Sequence, residues 1–115
     1  MYRFDGKTIL VTGAGSGMGA ACMRRLHDEG ATVVAMDLNM EGIDRYAQSI
    51  EDRGRLHAVR VDITDHGAVA SAVAEVADSI GHLYGLVNCA GVRGIGTLLD
   101  WTAEEWRRVV SVNLD

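Results

Sequence analysis

"LVTGAGSGMGAA", Leu10 to Ala21, sets four glycines into the seven positions 13–19, directly after a run of β-branched and apolar residues. Ordering glycine costs more backbone entropy than ordering any other residue, so the cluster needs a reason: a positive φ, or a ligand passing close to the main chain. A P-loop would follow its glycines with Lys and then Ser or Thr to reach the phosphates. Met18, Gly19 and Ala20 stand there instead. Two readings remain, a turn that merely joins two elements and a cradle for a pyrophosphate. The cradle asks for a strand before it, a helix after it, and an acidic residue about 20 positions further on.

All three are present. Thr8-Ile9-Leu10-Val11-Thr12 is β-branched and apolar on both faces, as a strand buried in a parallel sheet must be. Downstream, Met18, Cys22, Met23 and Leu26 recur at helical spacing, Arg24, Arg25, Asp28 and Glu29 fall mainly on the other face, and Gly30 supplies a stop. A second apolar run, Ala31 to Met36, ends in Asp37. That carboxylate is placed to hold the adenosine ribose of a dinucleotide, while the loop amides and the helix dipole hold the pyrophosphate. On this reading a side chain at Gly13 or Gly17 collides with the pyrophosphate or with the helix behind it.

Bulk properties narrow the rest. With 115 residues the chain is one domain, spanning 1–115, and small for a parallel sheet covered on both faces. A formal charge of −5 without any basic block argues against nucleic acid or an anionic membrane as partner. The apolar runs are strand-length and no signal-peptide pattern opens the chain, so a cytoplasmic location is expected. Cys22 and Cys89 lack metal-ligand spacing or an obvious partner and read as reduced core thiols; no metal is expected.

No linker, repeat or low-complexity run interrupts the pattern. Strands are predicted near 7–12, 31–37, 56–61 and 83–88, and helices near 17–29, 40–52, 65–80 and 102–115. This βαβαβαβα order predicts an α/β fold, a Rossmann-type doubly wound parallel sheet with right-handed crossovers. Val69, Val73, Val76 and Ile80 form one stripe of the third helix and are expected in the core. The last segment, "DWTAEEWRRVVSVNLD", opens with a capping box of Thr102 and Glu105. Trp106, Val109 and Val110 are its expected inward face, which Asn113 continues. The chain stops at Asp115 without a C-cap, so a fold truncated after the fourth strand and its helix is expected.

Taken together, these residues resemble the short-chain dehydrogenase/reductase family. Thr12-Gly13-x-x-x-Gly17-x-Gly19 is similar to its cofactor motif, Asp62 in "VDIT" to the acidic residue that contacts adenine, and Asn88-Cys89-Ala90-Gly91 to the N-x-A-G that ends the fourth strand. Asn113 in "SVNLD" matches the Asn of the family's catalytic Asn, Ser, Tyr and Lys set. The family's commoner N-N-A-G is replaced here by "NCAG". The resemblance implies an oxidoreductase that moves hydride between nicotinamide and an alcohol or carbonyl substrate. NAD would lie against Gly13, Ser16, Gly17, Met18, Gly19, Asp37, Leu38, Asp62, Ile63, Asn88, Ala90 and Gly91. Asn113 would hold a water in a proton relay to the Lys. No Tyr-x-x-x-Lys is present, since Tyr2, Tyr46 and Tyr84 are followed at the fourth position by Gly6, Ile50 and Asn88, and the one lysine is Lys7. The chain alone is therefore expected to be inactive, and its parent a homo-oligomer acting on a small alcohol or ketone. The alternative is an inert NAD-binding module or a nucleotide-sensing regulator on the same fold.

Overall fold

A computed structural model describes residues 3–51, 53–90 and 102–113. Four strands, β1 (Thr8–Thr12), β2 (Thr32–Asp37), β3 (Leu56–Arg60) and β4 (Gly85–Asn88), alternate with helices α1 (Gly17–Asp28), α2 (Glu41–Ser49), α3 (His66–Ser79) and α4 (Ala103–Asn113). All strand pairs are parallel, in the order β3-β2-β1-β4, with Thr12 opposite Met36 on one side and Asn88 on the other. The chain winds outward from β1 to β3 and then returns to place β4 on the free side of β1. The C-terminal ends of β1 and β4 thus flank the topological switch point, where open parallel sheets form a ligand crevice.

Strand alternation divides the core in two. Ile9, Val11, Val33 and Ala35 pack with Met23 of α1 and with Ile43 and Tyr46 of α2, while Leu10, Val34 and Met36 pack with Val61 and with Ala72 and Val76 of α3. Both faces of β1 and β2 are therefore buried, which is why those strands read as unbroken apolar runs.

Helix ends follow from local chemistry. Past α1, Gly30 donates to the His27 carbonyl and Ala31 to the Leu26 carbonyl, a Schellman pair that stops the helix where the sequence places its glycine. Arg55 adds a guanidinium donor to the carbonyls of His27 and Ala31, at 3.0 and 2.8 Å. The expected capping box of α4 forms, with Glu105 N–H donating to Thr102 Oγ1 at 3.1 Å.

Three expectations change. The second helix ends at Ser49 rather than near 52, because Ser49 Oγ donates to the Tyr46 carbonyl and Ile50 turns extended; a short 3₁₀ turn, Arg53–Arg55, follows. On α3 the buried pair is Ala72 and Val76, with Val69 and Ile80 partly buried beside them, whereas Val73 is exposed. It borders an open apolar groove of about 450 Å³ with Leu10, Met36, Leu83, Tyr84 and Leu86, which no described residue fills. Trp106 is likewise 54% exposed rather than inward, while Val109 and Val110 are half-buried.

One buried polar contact joins α1 to α2. Tyr46 Oη and His27 Nδ1 lie 3.2 Å apart with their rings edge to face. Burial first, and then the charge and hydrogen bonding of Asp28, hold the Tyr46 phenol above its ordinary 10.0. The folded state thus keeps a proton that the unfolded chain releases, so the associated stabilisation is complete below pH 10.0 and is lost as pH rises through the higher folded value. Tyr46→Phe should destabilise the fold by about 1–3 kcal/mol at neutral pH, by depriving a buried nitrogen of a partner. It should also flatten the alkaline fall in stability, both read from denaturant unfolding at several pH values.

Candidate functional site

The β1–α1 turn is built on backbone contacts too close for side chains. A Cβ on Gly13, whose φ is +66°, would lie 2.7 Å from the Ala90 nitrogen and from the Cys89 carbonyl atoms. A Cβ on Gly19 would run into the Gly13 carbonyl oxygen. The first turn of α1 can therefore rest directly on the end of β1. Gly17 differs: its φ is +58°, and nothing lies within 4 Å of the place a Cβ would take. Of the expected clashes, the one with the helix is absent at Gly17, and at Gly13 the neighbour is the end of β4. Gly13 abuts the end of β4 and Gly19 sets the helix on the strand, whereas Gly17 fronts open space.

Thr12 fastens the second wall. Its Oγ1 accepts hydrogen bonds from both Cys89 N–H and Ala90 N–H, at 3.1 and 3.2 Å. Two amides beyond the last β4 residue are thereby tied to the neighbouring strand. Sequence reading has Thr12 in the motif without this role, because a threonine at a strand end carries no mark of what its hydroxyl accepts.

Asp37 closes the turn from the β2 side. Gly15 N–H donates to Oδ2 at 2.8 Å and Asn39 N–H to Oδ1 at 3.0 Å, so both carboxylate oxygens are oriented by main chain. Gly15 was not among the expected site residues. A Cβ there would meet the Asn39 carbonyl at 2.6 Å and Asp37 Oδ2 at 2.7 Å. Its presence among the four glycines was the available signal.

A crevice of about 210 Å³ opens at this point, lined by Gly13, Ser16, Asp37, Leu38, Asp62, Ile63 and Ala90 of the expected set. Met36, Val61, Cys89 and Val112 line it as well and were not anticipated. The two carboxylates thus share one crevice with apolar walls. Asp62 Oδ1 accepts from Thr64 Oγ1 at 2.7 Å and Thr64 N–H at 2.9 Å, and the Thr64 hydroxyl, followed by its amide, holds the carboxyl below its ordinary value. Gly17, Met18, Gly19 and Asn88 stand outside the lining, Met18 being 80% exposed. Gly91 and the Asn113 side chain lie outside the described residues, although the Asn113 backbone ends α4.

The electrostatics of α1 set it apart. Ser16 is its N-cap residue but makes no side-chain cap, and no acidic residue occupies the first turn. The other described helices carry carboxylates there: Glu41 and Asp44 in α2, the Asp65 cap in α3, Glu104 and Glu105 in α4. The N-terminus of α1 therefore keeps its donors and positive dipole end for an external anion. One cation reaches the far rim. Arg60, paired in register with Asp37, donates from Nε to the Leu38 carbonyl at 3.2 Å, whereas sequence reading placed no basic residue beside the acid. Cys22 and Cys89, expected as separate core thiols, are instead half-buried neighbours. Among the described residues no His, Cys, Asp and Glu cluster could hold a metal ion.

Comparison with known proteins agrees with this architecture. The family model for short chain dehydrogenase matches residues 7–115. Meso-2,3-butanediol dehydrogenase of Serratia marcescens is 43% identical over 113 residues, covering 98% of this chain and 45% of that protein. D-threitol dehydrogenase of Mycolicibacterium smegmatis is 37% identical over 114 residues, covering 98% and 44%. A crystal structure described as a glucose/ribitol dehydrogenase of the short-chain type from Brucella melitensis superposes with a TM-score of 0.90 at 29% identity, covering 98% of this chain and 46% of that one. The chain spans about half the length of the curated relatives it matches.

The two kinds of glycine in the turn should separate experimentally. Gly19→Ala must push α1 off β1 and should cost at least about 1–3 kcal/mol of stability, as overpacking does. Gly17→Ala meets no atom and should cost only the left-handed penalty of about 1–2 kcal/mol. Urea midpoints of the two variants compare them directly.

Proposed function

The chain belongs to the short-chain dehydrogenase family, and on that premise we propose that it is the NAD-binding, N-terminal part of an oxidoreductase acting on an alcohol or carbonyl substrate. The observation that carries the cofactor reading is Asp37, a carboxylate held at both oxygens by main-chain amides on the rim of the switch-point crevice. Lone pairs remaining on such a carboxylate accept hydrogen bonds from vicinal ribose hydroxyls, and its charge repels a 2′-phosphate. The crevice residues fit the rest of a dinucleotide. Apolar Leu38, Val61 and Ile63 suit a flat heterocycle, with Asp62 beside them as an acceptor. The open front of Gly17 and the uncapped start of α1 suit a pyrophosphate.

When bound, a nicotinamide supplies the hydride chemistry. This chain's own part is to grip the adenosine end, lay the phosphates on the helix terminus and keep Ala90 close to β1 through Thr12. Residues 1–115 are read as one part of a single nucleotide-binding domain. Asn113 is the residue of the chain assigned to the proton relay, and a relay end without its Tyr and Lys moves no proton.

Two outcomes test the proposal. A longer protein containing this chain should bind NAD at least tenfold more tightly than NADP, and Asp37→Ala should narrow that gap, both by titration calorimetry. Arg60→Ala in the same background should weaken NADP further, since it removes a cation from the rim. The 115-residue chain alone should show no turnover of secondary alcohols with NAD above background, because positioned proton transfer contributes roughly 10²- to 10⁴-fold and its groups are absent. Turnover by the isolated chain, with its mass verified, would overturn the assignment of roles.

A further inference from the structure

Cys22 and Cys89 are 67 positions apart in sequence, yet the fold brings them to one place. Cys22 belongs to the flank of α1 that packs on the core of Ile9 and Val11, and Val87 of β4 packs on that same cluster. Gly19, one turn before Cys22, rests on the Gly13 carbonyl, and the Cys89 carbonyl group lies against the same Gly13 from the β4 side. The two thiols are near enough for the charge of Cys22 to act on Cys89, and both residues are only half-buried. Cys89 also lines the crevice, and its amide hangs on Thr12 Oγ1.

We propose that Cys22 and Cys89 are a redox site, closed by a small-molecule disulfide into a reversible intramolecular bond that ties α1 to the end of β4 at the wall of the crevice. Burial first, and then the charge of Cys22, raise the Cys89 thiol above its ordinary value, which leaves Cys89 as the resolving sulfur and Cys22 as the one that attacks first. It attacks the oxidant, forms a mixed disulfide and releases one thiolate. Cys89 then gives up its proton and displaces the second thiolate as the Cys22–Cys89 bond forms. The two protein sulfurs lose two electrons and two protons, and the oxidant leaves as two thiols.

Closure has a structural reach. A disulfide draws its sulfurs to about 2.05 Å, and any movement of Cys89 acts on its amide bond to Thr12 and on the Gly13 contact beside it. The oxidised and reduced forms should therefore differ in nucleotide affinity, a coupling that rests on the NAD reading above, whereas the disulfide itself does not.

The purified protein is treated with oxidised glutathione, digested without reduction and mapped by mass spectrometry, with thermal midpoints and NAD titrations recorded on the oxidised and dithiothreitol-reduced forms. The expected result is a Cys22–Cys89 linked peptide in the monomer. The midpoint should rise by roughly 5–10 °C, because the bond closes a long loop, and dithiothreitol should reverse it. NAD affinity should change at least threefold. Cys22→Ser should abolish both the link and the rise, while Cys89→Ser should accumulate the glutathione adduct on Cys22. Separate adducts on both cysteines, or links only between molecules, would overturn the proposal. A linked peptide with unchanged NAD affinity would overturn the coupling. NAD binding absent in both forms would refute the cofactor reading and leave the disulfide standing.

Discussion

Everything near the crevice depends on how closely the Gly13 carbonyl is approached. From the helix side Gly19 sits against it, and from the β4 side the Cys89–Ala90 backbone sits against the Gly13 α-carbon. No side chain fits in either gap. Three elements therefore converge at one peptide unit, and the distance from α1 to the sheet is set there rather than by the larger side chains of the two cores. The N-terminus of α1 is consequently set beside the ends of β1 and β4, with its N-cap residue Ser16 lining the crevice.

The same tightness recurs on the β2 side. Gly15 lies between the Asp37 carboxylate and the Asn39 carbonyl, and a side chain on Gly42 at the start of α2 would strike the Gly15 carbonyl. Asp37 is thus part of the scaffold as well as a presented charge. Its oxygens stabilise two turn amides, so the carboxylate is oriented before any ligand arrives, and little ordering remains for binding to require.

Elements were legible in the sequence because their signals are local: apolar runs for β1 and β2, helical spacing with Gly30 for α1, and the Thr102–Glu105 box for α4. The crevice was half legible. Gly13, Ser16, Asp37, Leu38, Asp62, Ile63 and Ala90 stood in recognisable motifs, and all of them line it. Contacts between distant residues left no such mark. Thr12 with Ala90, Arg60 with Leu38 and Cys22 with Cys89 are products of strand order, which a linear pattern does not encode. The stripe of α3 misled for a related reason, since periodicity names the apolar face of a helix and says nothing of whether the surface it needs is present. Val73, exposed beside the open groove, shows that difference.

Strand order also imposes a sequence in time. β1, β2 and β3 pair with neighbours that follow them within a few dozen residues, so that part of the sheet can assemble as the chain is made. The hydrogen bond from Ala90 to Thr12 instead spans 78 positions, and such closures carry the larger loop entropy and form late. Until the ribosome has released Ala90, Thr12 Oγ1 lacks both of its amide partners and the switch-point crevice has only one wall. A nucleotide can therefore stabilise the finished fold by mass action, but it cannot template the first three strands. Their early cohesion must come from the apolar packing of α1 and α2 on one face and of α3 on the other.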